Sequence, residues 1–190
     1  MFESAMIEHK LAKEEYDRDE PELRGKLGLM QITPASRGGI EGYERIGQEM
    51  AERSGRLNAA FGTLDWVPVR YINRAFSQTL LAGLYRLSRV GLVTPLRDGM
   101  NLVAKEYVAA QDPADPGVLI LSQFAGAAAE LSDALIVNPH DIEEVGEALA
   151  LALTMPLEER RARHGAMMAV LHANPIEAWA RAFLRDLGAR

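Results

Sequence analysis

Apolar and polar positions change period in blocks along the chain. Leu27-Gly28-Leu29-Met30-Gln31-Ile32 is a short apolar run stopped at Thr33-Pro34, which predicts a strand. Ser36-Arg37-Gly38-Gly39 is a loop, after which Ile40, Tyr43, Ile46, Met50, Ala51 and Leu57 recur at helical spacing up to about Asn58. Val67 to Ile72 predicts a second strand, with proline tolerable near its start. Phe76, Leu80, Leu81, Leu84, Tyr85 and Leu87 then mark a helix. A third strand, Val90 to Thr94, ends at Pro95, and Leu96-Arg97-Asp98-Gly99 turns into a helix running through Gln111. The breakers of Asp112-Pro113-Ala114-Asp115-Pro116-Gly117 end that helix. Val118-Leu119-Ile120-Leu121 is apolar throughout, the pattern of a strand buried on both faces of a parallel sheet. A Gly/Ala-rich helical turn at 125–131 and a fifth strand, Ala134 to Val137, follow. Asp141 caps a helix at about 142–153, and two more helices start at Pro156 and at Asn174-Pro175.

This alternation predicts an α/β fold: a Rossmann-like, doubly wound parallel sheet of about five strands with two extra C-terminal helices. Residues 25–190 read as one domain, preceded over 1–24 by a charge-dense stretch read as a solvated helix ended near Pro21. In such sheets ligands sit beyond the carboxyl ends of the strands, so the loop after each strand is the place to look for chemistry.

Composition narrows the chemistry further. Twenty-seven acidic residues against 21 basic ones leave a charge of −6, which argues against nucleic acid or an anionic membrane as partner. Any phosphate must therefore be gripped locally. The absence of cysteine excludes a disulfide scaffold, a thiolate nucleophile and Cys-ligated metals. His9, His140, His164 and His172 have neither metal-ligand spacing nor triad partners, so no metal site is expected. No apolar run approaches the ~18 residues of a membrane span, and Met-Phe-Glu-Ser-Ala-Met does not read as a signal peptide, so a cytoplasmic protein is expected.

The most informative stretch is Thr94 to Glu106. It leaves a buried strand, turns on a glycine and opens a helix, whose first N–H groups have no internal acceptor and suit an anion or hydroxyl ligand. Gly99 permits close approach to the backbone, Asp98 sets a carboxylate beside the opening, and Glu106 lies one turn beyond Leu102 on the same face. Two carboxylates around such a turn suit a sugar nucleotide, one for hexose hydroxyls and one for the ribose diol. An Asp-Gly pair is also a common turn, and a helical Glu is usually solvated.

Asp98 to Gln111 (DGMNLVAKEYVAAQ), with Val90 to Arg97 (VGLVTPLR) and Leu121 to Ala128 (LSQFAGAA), resembles the donor-binding domain of the trehalose-6-phosphate synthase family. The resemblance runs from about Arg24 to the C-terminus. It implies the C-terminal half of a two-domain GT-B fold and a retaining transfer of glucose from UDP-glucose to glucose 6-phosphate, without metal or other cofactor. On it, Asp98 is the catalytic, sugar-positioning residue, and the backbone of Gly99, Met100 and Asn101 holds glucosyl hydroxyls. Leu102 and Val103 amides meet the diphosphate, Glu106 holds the ribose, and Ile32, Phe76 and Leu81 line the uracil slot. Arg37 matches the arginine that contacts the acceptor phosphate, a group suited to its fork of donors. Family members are more than twice as long, with an N-terminal domain bearing most of the acceptor site. The resemblance starts just after a loop whose arginine and lysine grip the donor diphosphate. Losing two such contacts is expected to weaken donor binding by roughly 10²–10⁴-fold. The chain is thus expected to be a donor half, inactive alone, that works with a missing N-terminal domain or self-associates. The alternative is a catalytically silent nucleotide-sugar-binding or regulatory module acting with a partner subunit. A dinucleotide binder ranks last, since no G-x-G-x-x-G joins a strand to a helix.

Overall fold

The computed structural model describes residues 25–33 and 41–188. The expected helix at 1–24 and the loop carrying Arg37 lie outside the described residues. Two compact units divide the chain between Ser77 and Gln78.

In the first unit, β1 (Leu29–Ile32) runs parallel to β2 (Val69–Ile72), with Leu29 opposite Val69. The intervening α1 (Glu41–Phe61) supplies the crossover that parallel neighbours require. Near its end Asn58 stands in for a strand partner: its Nδ2 donates to the Val69 carbonyl and its Oδ1 accepts the Val69 N–H, at 2.9 and 3.0 Å. Trp66 donates Nε1–H to the Leu27 carbonyl at 2.9 Å, giving its ring a fixed seat.

The second unit contains α2 (Gln78–Leu87), β3 (Val90–Val93), α3 (Leu102–Ala110), β4 (Val118–Ser122), β5 (Leu135–Val137), α4 (Ile142–Thr154), α5 (Leu157–Ala173) and α6 (Ile176–Asp186). A 3-10 turn, Gly126–Ala129, lies between β4 and β5. The three strands are parallel in the order β3-β4-β5, and central β4 is buried along its whole length, as its unbroken apolar run requires. Within each unit every hydrogen-bonded strand pair is parallel, a pair in the first and a triplet in the second. The helices after Pro156 and Pro175 are the two extra C-terminal ones.

Tyr107 seats α3 on the sheet. Its ring covers Gly91 of β3 so closely that a Cβ there would come within 2.8 Å of ring atoms. Its hydroxyl donates to the Ser88 carbonyl at 3.0 Å, and Tyr85 meets the ring edge-on with centroids 6.3 Å apart. Burial pushes the Tyr107 phenol far above its ordinary range, so it stays a donor. Behind the strands' amino ends, arginines clasp the loop ahead of β4. Arg86 pairs with Asp112 at 2.6 Å, Arg161 donates to the Ala114 carbonyl at 2.9 and 2.7 Å, and Arg89 and the buried Arg160 share Asp115. Arg160 also donates to the Pro116 carbonyl.

Trp179 and Phe183 share one face of α6, stacked at 5.2 Å with planes 10° apart. Both remain about half exposed, so Trp179 is less of a packing anchor here than its size suggests. Among the described residues, no helix is long and apolar enough to cross a membrane.

Candidate functional site

The segment after β3 does not run directly from Gly99 into a helix. It first makes a side-chain-bonded turn, and α3 begins only at Leu102. Asp98 folds its carboxylate back over this turn: Oδ1 accepts the Gly99 N–H at 2.8 Å and Oδ2 accepts from Asn101 Nδ2 at 2.7 Å. Asn101 Oδ1 accepts the Ala104 N–H at 2.9 Å and so caps α3. Asn101 adopts φ 57°, ψ 82°, a left-handed conformation that asparagine tolerates better than most side chains. Gly99 has open space above its Cα.

A second segment locks this turn from below. The Asp98 N–H donates to the Phe124 carbonyl at 3.2 Å, and the Gly126 N–H donates to the Gly99 carbonyl at 2.6 Å. The loops after β3 and β4 are thereby joined by a parallel bridge between Asp98 and Ala125. A Cβ on Gly126 would stand 2.1 Å from the Gly99 oxygen, so the site needs a glycine at that position too. The LSQFAGAA stretch thus forms the floor of the turn. Phe124, 42% exposed, rests edge-on against the His140 ring at 5.9 Å.

The α3 start faces outward. Leu102 and Val103 are 59% and 45% exposed, and their N–H groups lie ahead of the capped Ala104 amide, where no helical carbonyl can reach them. Glu106 follows on the same exposed face, while Ala104, Tyr107 and Val108 form the buried face. Burial raises the Tyr85 phenol pKa, and the Glu106 charge pushes it the same way, which sets Glu106 close to α2. Leu81 lies one turn ahead of Tyr85 on that helix.

The structure therefore brings Asp98, Gly99, Met100, Asn101, Leu102, Val103 and Glu106 to one helix start, with Leu81 on the neighbouring helix. Ile32, at the end of β1, and Phe76 belong to the other unit, where the Arg74 guanidinium covers the Phe76 ring at 4.5 Å from its centroid. Among the described residues, no three His, Asp or Glu side chains converge as metal ligands would. Three features escaped the sequence reading: the Gly126 floor, the left-handed Asn101, and an ion pair in which Lys105 Nζ meets both Glu130 oxygens at 3.0 and 2.8 Å. A reading of neighbours along the chain could not find the last, because its partners are 25 positions apart.

Comparison with known proteins settles the kinship of this chain. The model of glycosyltransferase family 20 matches residues 4–189. The chain belongs to that family. A trehalose-6-phosphate synthase from Sinorhizobium fredii is 59% identical over 169 residues, 89% of this chain and 36% of the relative. Two solved family 20 structures superpose with TM-scores of 0.89: one from E. coli described as bound with UDP-2-fluoro glucose, and a UDP-forming synthase from Burkholderia xenovorans in complex with glucose-6-phosphate. They are 51% and 50% identical to this chain, cover 98% and 97% of it, and are themselves covered over 42% and 41%. The chain thus spans about two-fifths of the family 20 proteins it matches, and its α/β fold is that of GT-B trehalose-phosphate synthases.

Proposed function

We propose that this chain is the donor half of a trehalose-6-phosphate synthase. It would hold UDP-glucose while the glucosyl group passes, with retention, to glucose 6-phosphate, giving trehalose 6-phosphate and UDP. The observation that carries this reading is the Asp98–Asn101 turn opening α3: the Leu102 and Val103 N–H groups lie ahead of the capped Ala104 amide with no helical acceptor, one carboxylate is held in the turn and another follows one helical turn along.

In this reading each Asp98 oxygen, already accepting one hydrogen bond, keeps a lone pair for a hexose hydroxyl. The Gly99, Met100 and Asn101 backbone holds further hydroxyls, and the Leu102 and Val103 N–H groups meet the diphosphate, whose negative charge the α3 dipole also favours. Glu106 takes the ribose diol, and Leu81 on the neighbouring helix takes the uracil. As the glycosidic bond to the diphosphate lengthens, charge grows on the leaving oxygen. Helix amides stabilise it there, and that oxygen accepts the proton of the incoming acceptor hydroxyl. No metal or cofactor takes part. Arg37 would hold the acceptor phosphate, and the rest of the acceptor site would come from an N-terminal domain. Cytoplasmic location belongs to the same proposal.

The alternative reading is a silent nucleotide-sugar module working with a partner subunit. A titration of the 190-residue chain with millimolar UDP-glucose, followed by amide NMR, tests the donor site. Saturable shifts centred on Gly99 to Val103 are expected, and a folded chain without them overturns the reading. Restored synthesis on adding the N-terminal half of a relative separates the enzyme half from the silent module.

A further inference from the structure

Lys105 and Glu130 sit outside the ring of residues assigned to the donor, yet their geometry bears on it. Lys105 projects from the first turns of α3, and only 19% of its side chain is exposed. Its Nζ meets both oxygens of Glu130, at 3.0 and 2.8 Å. Glu130 closes the 3-10 turn that begins at Gly126. The N–H of that same Gly126 holds the Gly99 carbonyl. One ion pair therefore ties the helix on one side of the Gly99 turn to the segment that forms its floor. Between them, Ala104, Ala125 and Ala127 are almost wholly buried and too small to resist sliding by their own bulk.

We propose that Lys105 and Glu130 are a positioning pair that fixes the Gly99–Asn101 main chain at the height where it can meet a hexose. They touch no ligand. Their effect reaches the sugar through the Gly126–Gly99 bond, whereas the uracil and ribose contacts are made elsewhere. The pair accordingly governs discrimination between UDP-glucose and UDP more than nucleotide affinity as such. A partly buried ion pair suits this role because removing one partner leaves the other desolvated and unpaired, so the segment shifts to rehydrate it.

The inference rests on the donor-site reading, and its test separates the two. Unaltered chain, Lys105→Met, Glu130→Gln, Lys105→Arg and the reversed pair Lys105→Glu/Glu130→Lys are titrated with UDP-glucose and with UDP. Melting temperature and amide hydrogen exchange are recorded for each. The single neutral variants should lower the UDP-glucose to UDP affinity ratio by roughly tenfold. Lys105→Arg should keep the ratio, the reversed pair should recover most of it, and the neutral variants should speed exchange at Gly126 and Ala104 while the fold persists. An unchanged ratio in both neutral variants, with binding intact in the unaltered chain, overturns the positioning role. If the unaltered chain binds neither nucleotide, the donor-site reading falls. Exchange then decides the pair alone, and rates at Gly126 and Ala104 unmoved by Lys105→Met overturn it.

Discussion

Asn101 donates its side-chain amide to Asp98 Oδ2 across 2.7 Å while its own Oδ1 takes the Ala104 N–H at 2.9 Å. One side chain thus orients the carboxylate of the turn and caps the helix behind it, from a backbone conformation that few other residues accept. Asn101→Ala removes both bonds and sets an alanine in left-handed space. Loss of the cap alone costs about 1–2 kcal/mol. A lower melting temperature is expected together with a weaker UDP-glucose titration. A variant that melts like the parent and binds like it would show that the turn holds itself by other means.

The two carboxylates of the site should separate kinetically. In a complete synthase carrying this half, Asp98→Ala should cut kcat by about 10²-fold, because the hexose bond proposed for it would be expressed near the transition state. On the proposed donor reading, Glu106→Ala would remove a ribose contact made equally in ground and transition states, so it should raise the donor KM by roughly 10–100-fold with kcat nearly intact. Steady-state kinetics with varied UDP-glucose checks the split. Equal, small effects of both changes count against these roles.

Gly126→Ala forces a methyl to within 2.1 Å of the Gly99 oxygen unless the two loops part. Overpacking of this kind costs roughly 1–3 kcal/mol, and it falls where the turn is built. Melting curves should shift down, and amide resonances of Gly99 to Val103 should move while those of β4 stay. A crystal structure of the variant with the Gly126–Gly99 bond intact would refute the close-contact account.

The arginine clasp predicts an acid-labile contribution to stability. Hydrogen bonds from Arg160 and then Arg89 hold the Asp115 carboxyl below its ordinary 3.8. A carboxyl whose folded pKa lies below its unfolded one stabilises the fold above the unfolded value, and the benefit disappears as pH falls through the folded one. The melting-temperature difference between the parent and Asp115→Asn should therefore be present at neutral pH and close below pH 3.8. The exposure of Asp115 keeps this difference small.

If helix amides and dipole alone meet the diphosphate, chelation is inconsequential. Titrations of UDP-glucose with and without EDTA should superimpose, and a loss of affinity on chelation would implicate a bound cation.

Much of the fold was legible because it rests on periodicity. The unbroken run of β4, the end of β3 ahead of Pro95 and the Asp141 cap all surface where the pattern places them. What escaped was made by long-range side-chain bonds. The α3 start moved from Gly99 to Leu102 because Asp98 and Asn101 spend three residues on hydrogen bonds that no hydrophobic period records. The Lys105–Glu130 pair escaped because the partner of Lys105 arrives from beyond β4. The glycine under steric demand in the site is Gly126, which the Gly99 carbonyl approaches, and that contact exists only once two loops from different strands lie side by side.

The Tyr107 ring lying flat on Gly91 has a reach beyond packing. A rod pinned near its tail transmits any tilt to its tip, and the tip of α3 is where an activated sugar would dock. Substitutions at Gly91 or Tyr107, remote from every ligand-facing atom, should therefore surface in screens as affinity defects before they surface as misfolding. Searches for improved or altered donors would do well to sample that pivot as well as the rim.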